Sequence, residues 1–351
     1  MQNEIIKETE LLDGRGCVAE PGWARRSLYR YQRQKIKAPG FRVKEWDYYC
    51  VMSLEYGLAL TAADNGYMGF FAVTLFDFIN RTEKSGTVMT ALPLGRLNMP
   101  ESSGSGDVII DEAAIRMSFV HEGGKRVLRV DYPGFDKGRG LTAELELFTP
   151  AGDEAYDRMV IATPFHKRGR FYFNEKHNCL PARGTVRCGD FGCSFGGDDS
   201  ASKAWAVLDW GRGVWTYKNT WYWGSASGVA AGKPFGFNIG YGFGDTSAAT
   251  ENMLFYEGRA HKLEGVKFNI PGEAEGAERY MDPWTFTSSD GRFEMTFTPI
   301  LDRASDANVL IIRSSQHQVF GHFSGKAVLD DSQVVDVDNL PGFAEKVYNR
   351  W

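Results

Sequence analysis

The chain has 351 residues, more than a single hydrophobic core usually supports, so its length favours two domains. Hydrophobic residues make up 43% of the chain and aromatic residues 14%, which excludes extended disorder. The net charge of -5 is mixed in sign and gives no overall basic character, which argues against nucleic acid as a partner. We therefore expect a neutral or modest-sized organic ligand.

The N-terminus and the hydrophobic runs predict a cytoplasmic protein with no integral membrane segment. Residues 1–12 carry four charged side chains in place of the apolar core of a signal peptide. No run reaches the ~20 apolar residues that a membrane-spanning helix needs. The oligomeric state is not predicted.

The cysteines are odd in number and scattered, which predicts free thiols in a reducing compartment. They are Cys17, Cys50, Cys179, Cys188 and Cys193. Cys188 and Cys193 have a C-x4-C spacing close to His177, but no second pair of metal ligands follows them. We therefore predict no metal site and no cofactor.

Alternation of apolar and polar residues with a period of two recurs along the chain and predicts an all-β fold with few short helices. Apolar runs at 47–55, 58–64 and 67–78 predict a meander, with a type I′ turn at Asn65-Gly66. Alternating segments at 141–147 and 293–298 predict antiparallel strands that each have one wet face. Most strands should pair with their neighbours in sequence.

The alternation is interrupted between residues 165 and 189. A basic run comes first, and a segment containing Pro181 and Gly184 follows. The basic residues of this run are His166, Lys167, Arg168 and Arg170. Interruptions of this kind are typical of domain boundaries. We therefore predict two β-barrel domains, spanning residues 1–180 and 181–351.

The densest aromatic pattern lies between residues 208 and 224. If Trp215–Trp223 is one strand, period-two alternation places a row of mostly aromatic side chains on one face. That row consists of Trp215, Tyr217, Asn219, Trp221 and Trp223. Such a strand spans roughly 26 Å, so only two or three of these side chains could line a single small-molecule pocket.

The segment 237–244 has the complementary pattern. Bulky residues occupy its odd positions, and Asn238 is followed by glycine at 240, 242 and 244. Glycine inside a strand marks a bulge, a bend or the close approach of something large. Two interpretations stay open: the bare face makes room for a ligand, or it makes room for the protein's own tryptophans.

Three carboxylates among these rings are the candidate catalytic residues: Asp209, Asp245 and Glu251. An aromatic environment can raise the pKa of a carboxyl group, and a partner such as Arg212 can hold it ionised; either suits proton transfer. Each residue also has a structural alternative. Asp209 could make a turn, Asp245 could start a short helix over 247–251, and Arg212 could be a buried ion-pair partner.

The candidate ligand-binding residues are Arg212, Trp215, Asn219, Trp221, Trp223, Asn238 and Trp46. Trp46 lies in the segment 44–49, a possible second edge of the site. Alternation there places Glu45, Asp47 and Tyr49 on one face, and solvated carboxylates are the simpler interpretation.

A family resemblance is carried by several segments in the same order along the chain. They are residues 44–49, 208–215, 221–228, 238–245, 250–252, 318–321 and 341–345. With these segments the chain resembles the domain of unknown function 2804 family over nearly its whole length. That resemblance implies no activity and supplies no catalytic residues.

At a greater distance, the predicted architecture resembles the lipocalin-like group that includes carotenoid hydratases, tocopherol cyclase and Diels-Alderases. This resemblance implies two calycin-type antiparallel β-barrels packed together. No catalytic residue of that group can be aligned with this chain, and a fold does not determine a function.

Three functions fit these residues. The first is a cofactor-independent enzyme of hydratase, cyclase, isomerase or lyase type, in which a carboxylic acid transfers a proton and tryptophan faces stabilise a developing cation. The second is a carrier of a lipid or another hydrophobic ligand without catalysis. The third is a carbohydrate-binding or carbohydrate-active protein, in which rings stack on sugars and two carboxylates lie within about 10 Å of each other. We rank the enzyme first.

Overall fold

The computed structural model describes residues 2–149, 156–197, 203–309 and 312–350. Strands account for 62% of the chain and helical segments for 4%, which confirms the predicted all-β class. The helical segments among the described residues are three or four residues long, and none could cross a membrane. They are the short helix α1 (Phe135–Gly138) and 3-10 turns at Arg33–Lys35, Gly40–Arg42 and Glu273–Glu275.

The strands of the described ranges are numbered in chain order. A pair of short parallel strands, β1 (Thr9–Glu10) and β3 (Tyr29–Arg30), lies near the N-terminus. The first large sheet has thirteen described strands: β2 (Gly22–Ala24), β4 (Val43–Met52), β5 (Tyr56–Asp64), β6 (Met68–Asp77), β7 (Thr82–Ala91), β8 (Val108–Glu112), β9 (Ile115–Glu122), β10 (Lys125–Tyr132), β11 (Leu141–Phe148), β12 (Met159–Pro164), β13 (Phe171–Cys188), β14 (Phe191–Phe195) and β15 (Ala204–Val214). The second sheet has nine: β16 (Lys218–Ala230), β17 (Lys233–Tyr241), β18 (Met253–Tyr256), β19 (Arg259–Lys262), β20 (Val266–Asn269), β21 (Trp284–Ser288), β22 (Phe293–Val309), β23 (Ile312–Val328) and β24 (Val334–Arg350).

Both large sheets are antiparallel and curl into half-barrels of the lipocalin-like type, as predicted. The first sheet has the order β7-β6-β5-β4-β15-β13-β11-β10-β9-β8, with β12 and β14 also paired to β13 and β2 paired to β12. The second has the order β19-β18-β17-β16-β24-β23-β22-β21-β20. In each sheet a strand distant in sequence is paired beside a meander, namely β15 beside β4 and β24 beside β16.

The predicted meander near the N-terminus is confirmed as β4, β5 and β6, which pair in succession. The predicted type I′ turn is wrong. Three residues, 65–67, connect β5 to β6, and only Gly66 among them has a positive φ. Asp64 caps the loop by accepting a hydrogen bond from the Gly66 backbone N–H at 2.8 Å, and a loop so closed does not need positive φ at Asn65.

Three buried hydrophobic clusters follow from this arrangement. One lies inside the first half-barrel, one lies inside the second, and the third takes side chains from both sheets and lies between them. Because side chains alternate along a strand, the strands between two clusters are apolar on both faces. β15 is an example: Leu208 and Trp210 face the first core, while Val207 faces the third.

β13 changes its alternation at a β-bulge between His177 and Leu180. Cys179 has a φ of 56° at the bulge. Before it, Tyr172 faces the third cluster; after it, Ala182 faces the first core. A bulge adds one residue to a strand and so exchanges the faces that even and odd positions occupy. The interruption seen in the sequence therefore coincides with a bulge inside a continuous strand.

The division of the chain into two domains stays a prediction. Residue 180 lies inside β13, and the chain leaves the first sheet after Val214 and enters the second at Lys218. If each sheet is taken as one domain, the boundary belongs at residues 215–217. The prediction that Trp215–Trp223 forms one strand is wrong, because the crossing between the sheets falls within it.

Candidate functional site

A group of buried polar side chains, here called the inter-sheet cluster, lies in the space between the two sheets. The first sheet contributes Tyr172, Asn174, Lys176 and Asp209, and the second sheet with its connecting segment contributes Trp221, Trp223, Asn238, Glu251 and Glu345. Even positions of β13 before its bulge and odd positions of β15 point to this space, which explains why these residues converge.

Lys176 and Asp209 form a buried ion pair at the centre of the cluster. The Lys176 Nζ lies 2.9 Å from Asp209 Oδ1 and 3.8 Å from the centre of the Trp223 ring. The Lys176 side chain is 1% exposed, so almost no water competes for its charge. Asn174 donates a further hydrogen bond of 2.5 Å to the same Asp209 oxygen. One oxygen of Asp209 therefore accepts from two buried donors, one of them a cation.

Glu251 is a buried carboxyl group beside this ion pair. Its pKa is raised to about 7, chiefly by burial; the charge of Lys176 opposes the rise, and the charge of Asp209 adds to it. Its Oε2 lies 3.4 Å from the Tyr172 hydroxyl, a long donor distance. Its Oε1 is buried with no hydrogen-bond partner among the described residues. Such a group is near half-protonation at neutral pH.

Glu345 is a second carboxyl group of the same kind. Burial raises its pKa to about 7, against the hydrogen bond from Trp221 and the charge of Lys176, which lower it. Trp221 Nε1 donates to its Oε1 at 2.9 Å. Both carboxyl groups respond to the charges of Lys176 and Asp209, which places the four ionisable groups in one electrostatic unit.

Asn238 orients two members of the cluster. Its Oδ1 accepts a 2.7 Å hydrogen bond from Trp223 Nε1, and its Nδ2 donates at 2.9 Å to the backbone carbonyl of Glu251. Gly240 lies two residues further along the same face. A Cβ at Gly240 would lie 2.0 Å from Glu251 Oε1. Of the two interpretations of the bare strand, self-packing applies at this position, since Gly240 makes room for a carboxyl group of the protein itself.

Arg212 lies outside the inter-sheet cluster. It projects from the opposite face of β15 to Asp209, into the core of the first half-barrel, and donates to Asp47 Oδ1 at 3.1 Å. It is therefore a buried ion-pair partner, and Lys176 takes the role beside Asp209. Glu45 and Asp47 are 1% and 3% exposed, so the expectation that these carboxylates are solvated is wrong.

Asn219 and Asp245 also lie outside the cluster. Asn219 closes the turn before β16 by donating to the Thr216 carbonyl at 2.7 Å. Asp245 is exposed, and its Oδ1 accepts a 2.9 Å hydrogen bond from the Ser247 backbone N–H. No helix forms over 247–251, so that expectation is wrong, because the carboxylate closes a two-residue Asx turn instead.

An open cleft of about 440 Å³ lies at the edge of the inter-sheet space. Its lining residues are Pro164, Phe165, His166, Thr216, Lys218, Asn219, Thr220, Gly242, Gly244 and Asp245. Two of the predicted site residues, Asn219 and Asp245, therefore share this cleft, whereas Asp209, Glu251, Asn238, Trp221 and Trp223 share the buried cluster.

An aromatic layer separates the cleft from the buried carboxyl groups. The Trp215 ring centre lies 5.8 Å from that of Phe165 at the cleft and 5.2 Å from that of Trp221. Phe243 stacks on Tyr172 at 4.7 Å, which brings the layer to the cluster itself. Trp46 packs 5.8 Å from Trp215 and over the Cα of Gly211. The partly exposed ring of Trp221 spans the layer, because its Nε1 reaches Glu345.

Sequence reasoning missed Lys176 and Glu345, the cationic member of the cluster and one of its two carboxyl groups with a raised pKa. Both lie in strands that are distant in sequence from the aromatic segment 208–224. A usable signal was present for Glu345, since it follows Gly342-Phe343-Ala344, a run with no other charge. Lys176 lies among Glu175 and His177, so alternation alone could not show which of these polar residues faces the site.

Metal ligands are not assembled in the described part of the chain: no group of three or more His, Cys, Asp or Glu side chains there could hold a metal ion. Cys188 and Cys193 are buried free thiols on β13 and β14. His177 lies in the first core, where its Nε2 is 2.9 Å from the Ser103 hydroxyl.

Comparison of the sequence with known families gives a match to the domain of unknown function (DUF2804) over residues 2–351. The chain belongs to the DUF2804 family. The matched region includes every residue of the inter-sheet cluster. No functionally curated protein matches the sequence.

Solved structures resemble this DUF2804 protein in fold. An AttH protein from Nitrosomonas europaea matches 90% of this chain and 95% of its own, with a TM-score of 0.53 and 13% sequence identity. Kievitone hydratase from Nectria haematococca matches 87% of this chain and 88% of its own, with a TM-score of 0.49 and 11% identity. At these identities the AttH match shows the shared fold alone, and the weaker match carries no argument about activity.

Proposed function

We propose that this DUF2804 protein is a cofactor-independent acid–base enzyme whose substrate binds between the two sheets, at the inter-sheet cluster. The observation that carries this proposal is a pair of buried carboxyl groups, Glu251 and Glu345, whose pKa values are raised to about 7 beside the Lys176–Asp209 ion pair. Groups whose pKa lies near the working pH transfer protons most efficiently, and strongly perturbed carboxyl groups concentrate at functional sites.

The proposed chemistry is protonation of an unsaturated substrate. A protonated carboxyl, Glu251 or Glu345, gives its proton to one carbon of a double bond, which forms a C–H bond and leaves a cation on the neighbouring carbon. The faces of Trp221 and Trp223 stabilise that cation. Loss of a proton to a carboxylate completes an isomerisation, and addition of water followed by loss of its proton completes a hydration.

Glu251 and Asp209 differ in their surroundings, which assigns them different roles. Asp209 accepts bonds from Lys176 and Asn174, so it positions Lys176 and contributes to the electrostatics of the cluster. Glu251 has a buried oxygen without a partner and is free to share a proton. Neighbouring carboxyl groups in contrasting environments are typical of acid–base sites.

The test uses small-molecule extracts of the organism that encodes the chain, incubated with the protein in D₂O and analysed by mass spectrometry. We expect at least one compound to gain deuterium, or the mass of water, with the natural protein. The variants E251Q and E345Q should lower that conversion at least about a hundredfold, the usual contribution of a general acid.

E294Q is the matched control, because Glu294 is exposed on β22 and away from the cluster. Conversion that survives unchanged in both E251Q and E345Q contradicts the proposal. A compound that is bound tightly and recovered without deuterium favours the hydrophobic carrier instead.

A further inference from the structure

A group of basic side chains lies at and near the open cleft. His166 and Lys218 line it. Arg42 ends the 3-10 turn before β4, and Lys167, Arg168 and Arg170 lie with His166 in the turn between β12 and β13. In the described ranges no ion pair involves any of them. The chain as a whole carries a net charge of -5, so this local positive charge is not a reflection of the overall composition.

Two of these side chains, Arg42 and Arg170, carry buried donors that have nothing to bond to. The Arg42 Nε and the Arg170 Nη1 are both buried without a hydrogen-bond partner among the described residues. Burial and the neighbouring charge of Arg42 lower the pKa of Arg170, so the two guanidinium groups repel each other. Buried charges are normally paired, and an unpaired buried donor costs stability.

The Arg42 guanidinium group and the Arg170 backbone lie beside the cleft, and the Arg170 guanidinium group lies close enough to Arg42 to sense its charge. Arg42 Nη2 donates to the Trp215 carbonyl at 3.0 Å, and Trp215 immediately precedes the cleft residue Thr216. The Phe165 backbone N–H donates to the Arg170 carbonyl at 2.9 Å, and Phe165 lines the cleft.

We propose that the cleft holds an oxyanion subsite, in which Arg42 and Arg170 bind the carboxylate or phosphate group of a small-molecule ligand. Guanidinium groups offer paired N–H donors whose spacing fits the oxygens of such groups, and a bound anion would neutralise the repulsion between the two arginines. Asp245 is the carboxylate that lines the cleft, and it accepts a bond from the Ser247 backbone. One negative charge does not balance the several positive ones.

This subsite goes beyond the proposed chemistry, because anion binding requires no proton transfer. It also changes the expected ligand, from a neutral molecule to one with an anionic group. A ligand held at the cleft by that group would have its remaining part next to the aromatic layer of Phe165 and Trp215.

The test measures binding of inorganic phosphate and of benzoate by calorimetry and by thermal unfolding, against sodium chloride at equal ionic strength. We expect one of the two anions at least to bind in a 1:1 ratio and to raise the unfolding temperature more than chloride does. R42Q and R170Q should each weaken that binding at least about tenfold. R168Q removes an exposed charge from the same turn and should change it less than about twofold.

Phosphate binding without benzoate binding identifies a phosphate ligand, and the reverse identifies a carboxylate. In chloride buffer, R170Q should be at least as stable as the natural protein, because it relieves the repulsion with Arg42. A loss of folding in R170Q would overturn the subsite, since it would show that Arg170 has a stabilising internal partner. Equal binding by R170Q and the natural protein, or equal stabilisation by chloride, would also overturn it.

E251Q should bind the anions as the natural protein does, which keeps this test separate from that of the proposed enzyme.

Discussion

At the scale of single residues, burial decides the protonation of this site more than pairwise charge does. Glu251 and Glu345 both feel the positive charge of Lys176, yet both have a raised pKa, because removal from water is the largest influence on each. Asp209, by contrast, lies in direct contact with Lys176 at 2.9 Å and accepts a second bond from Asn174. A contact at hydrogen-bond distance stabilises an ionised carboxylate far more than the same charge does at longer range.

The raised pKa values predict a pH-dependent stability. Glu251 has a pKa of about 7 when folded, against an ordinary value of 4.5. Between these values the unfolded chain releases a proton that the folded chain keeps, so the free energy of unfolding falls as pH rises and levels off above pH 7. The fall amounts to at most roughly 3 kcal/mol per carboxyl group. Urea unfolding at several pH values measures this fall in the free energy of unfolding. E251Q should remove the part of the fall that is due to Glu251.

Infrared spectroscopy supplies an independent check on the same groups. The carbonyl band of a protonated carboxyl should persist to about pH 7 in the natural protein and weaken in E251Q. A band that vanishes near pH 4.5, together with a flat stability profile from pH 5 to 7, would contradict the raised pKa values.

The Lys176–Asp209 pair carries the second prediction. In K176M, Asp209 becomes a buried charge without its ionic partner, so we expect a loss of roughly 3 to 5 kcal/mol in the free energy of unfolding. The pKa of Glu251 should rise further, since Lys176 lowers it. Denaturant unfolding and the infrared titration measure these two effects.

The exposed pair Lys233–Glu257 offers a matched control with a similar separation of 2.7 Å. K233M should cost less than about 1 kcal/mol, because water screens an exposed pair. A double variant K176M/D209L should recover part of the lost stability. If K176M costs no more than K233M, the pair does not have the buried character that the structure gives it.

At the scale of elements, period-two alternation identifies strands well and identifies faces poorly. It located β11, where buried and exposed residues alternate, and the all-β class, whereas β4, β5 and β6 are buried on both faces and were located by their apolar runs. It failed at β13, where the bulge at Cys179 exchanges the two faces, and at 215–217, where the chain passes between sheets inside an aromatic run. Both failures occur where neighbouring backbone, and not the local sequence, sets the direction of the side chains.

Asn178, at the bulge, joins the two sheets. Its Nδ2 donates to the Ser225 hydroxyl at 2.7 Å and to the Phe237 carbonyl at 3.0 Å, and it is fully buried. N178A leaves these groups without a donor, so we expect a loss of about 1 to 3 kcal/mol in the free energy of unfolding. Denaturant unfolding measures it.

T185A is the control for N178A, because Thr185 is exposed on the same strand beyond the bulge. It should change stability by less than about 0.5 kcal/mol. Equal effects of the two substitutions would show that Asn178 does not hold the sheets together.

At the scale of the whole molecule, the sequence predicted the kind of residue at the site better than its position. Of the predicted site residues, Asp209, Glu251, Asn238, Trp221 and Trp223 lie together between the two sheets, whereas Arg212, Asn219 and Asp245 lie elsewhere. That the first group forms a functional site stays a prediction. The sequence could not place Glu345 and Lys176 at the site, although Glu345 stood out in an uncharged run, because pairing β24 with β16 and β13 with β15 brings together residues more than 30 positions apart. Such pairing depends on the assembled fold.

The third hydrophobic cluster makes the two sheets depend on each other, and this leads to the last prediction. Phe286 lies in the core of the second half-barrel and is fully buried, so F286A should cost about 3 to 5 kcal/mol. Neither sheet can unfold without exposing its side of the shared cluster. We therefore expect hydrogen exchange to quicken in β5 and β6 of the distant sheet as well as in β22, and calorimetry to show one transition. T285A, an exposed neighbour of Phe286, should leave all three strands unchanged. Faster exchange confined to the second sheet, or two separate calorimetric transitions, would show that the cluster does not couple them.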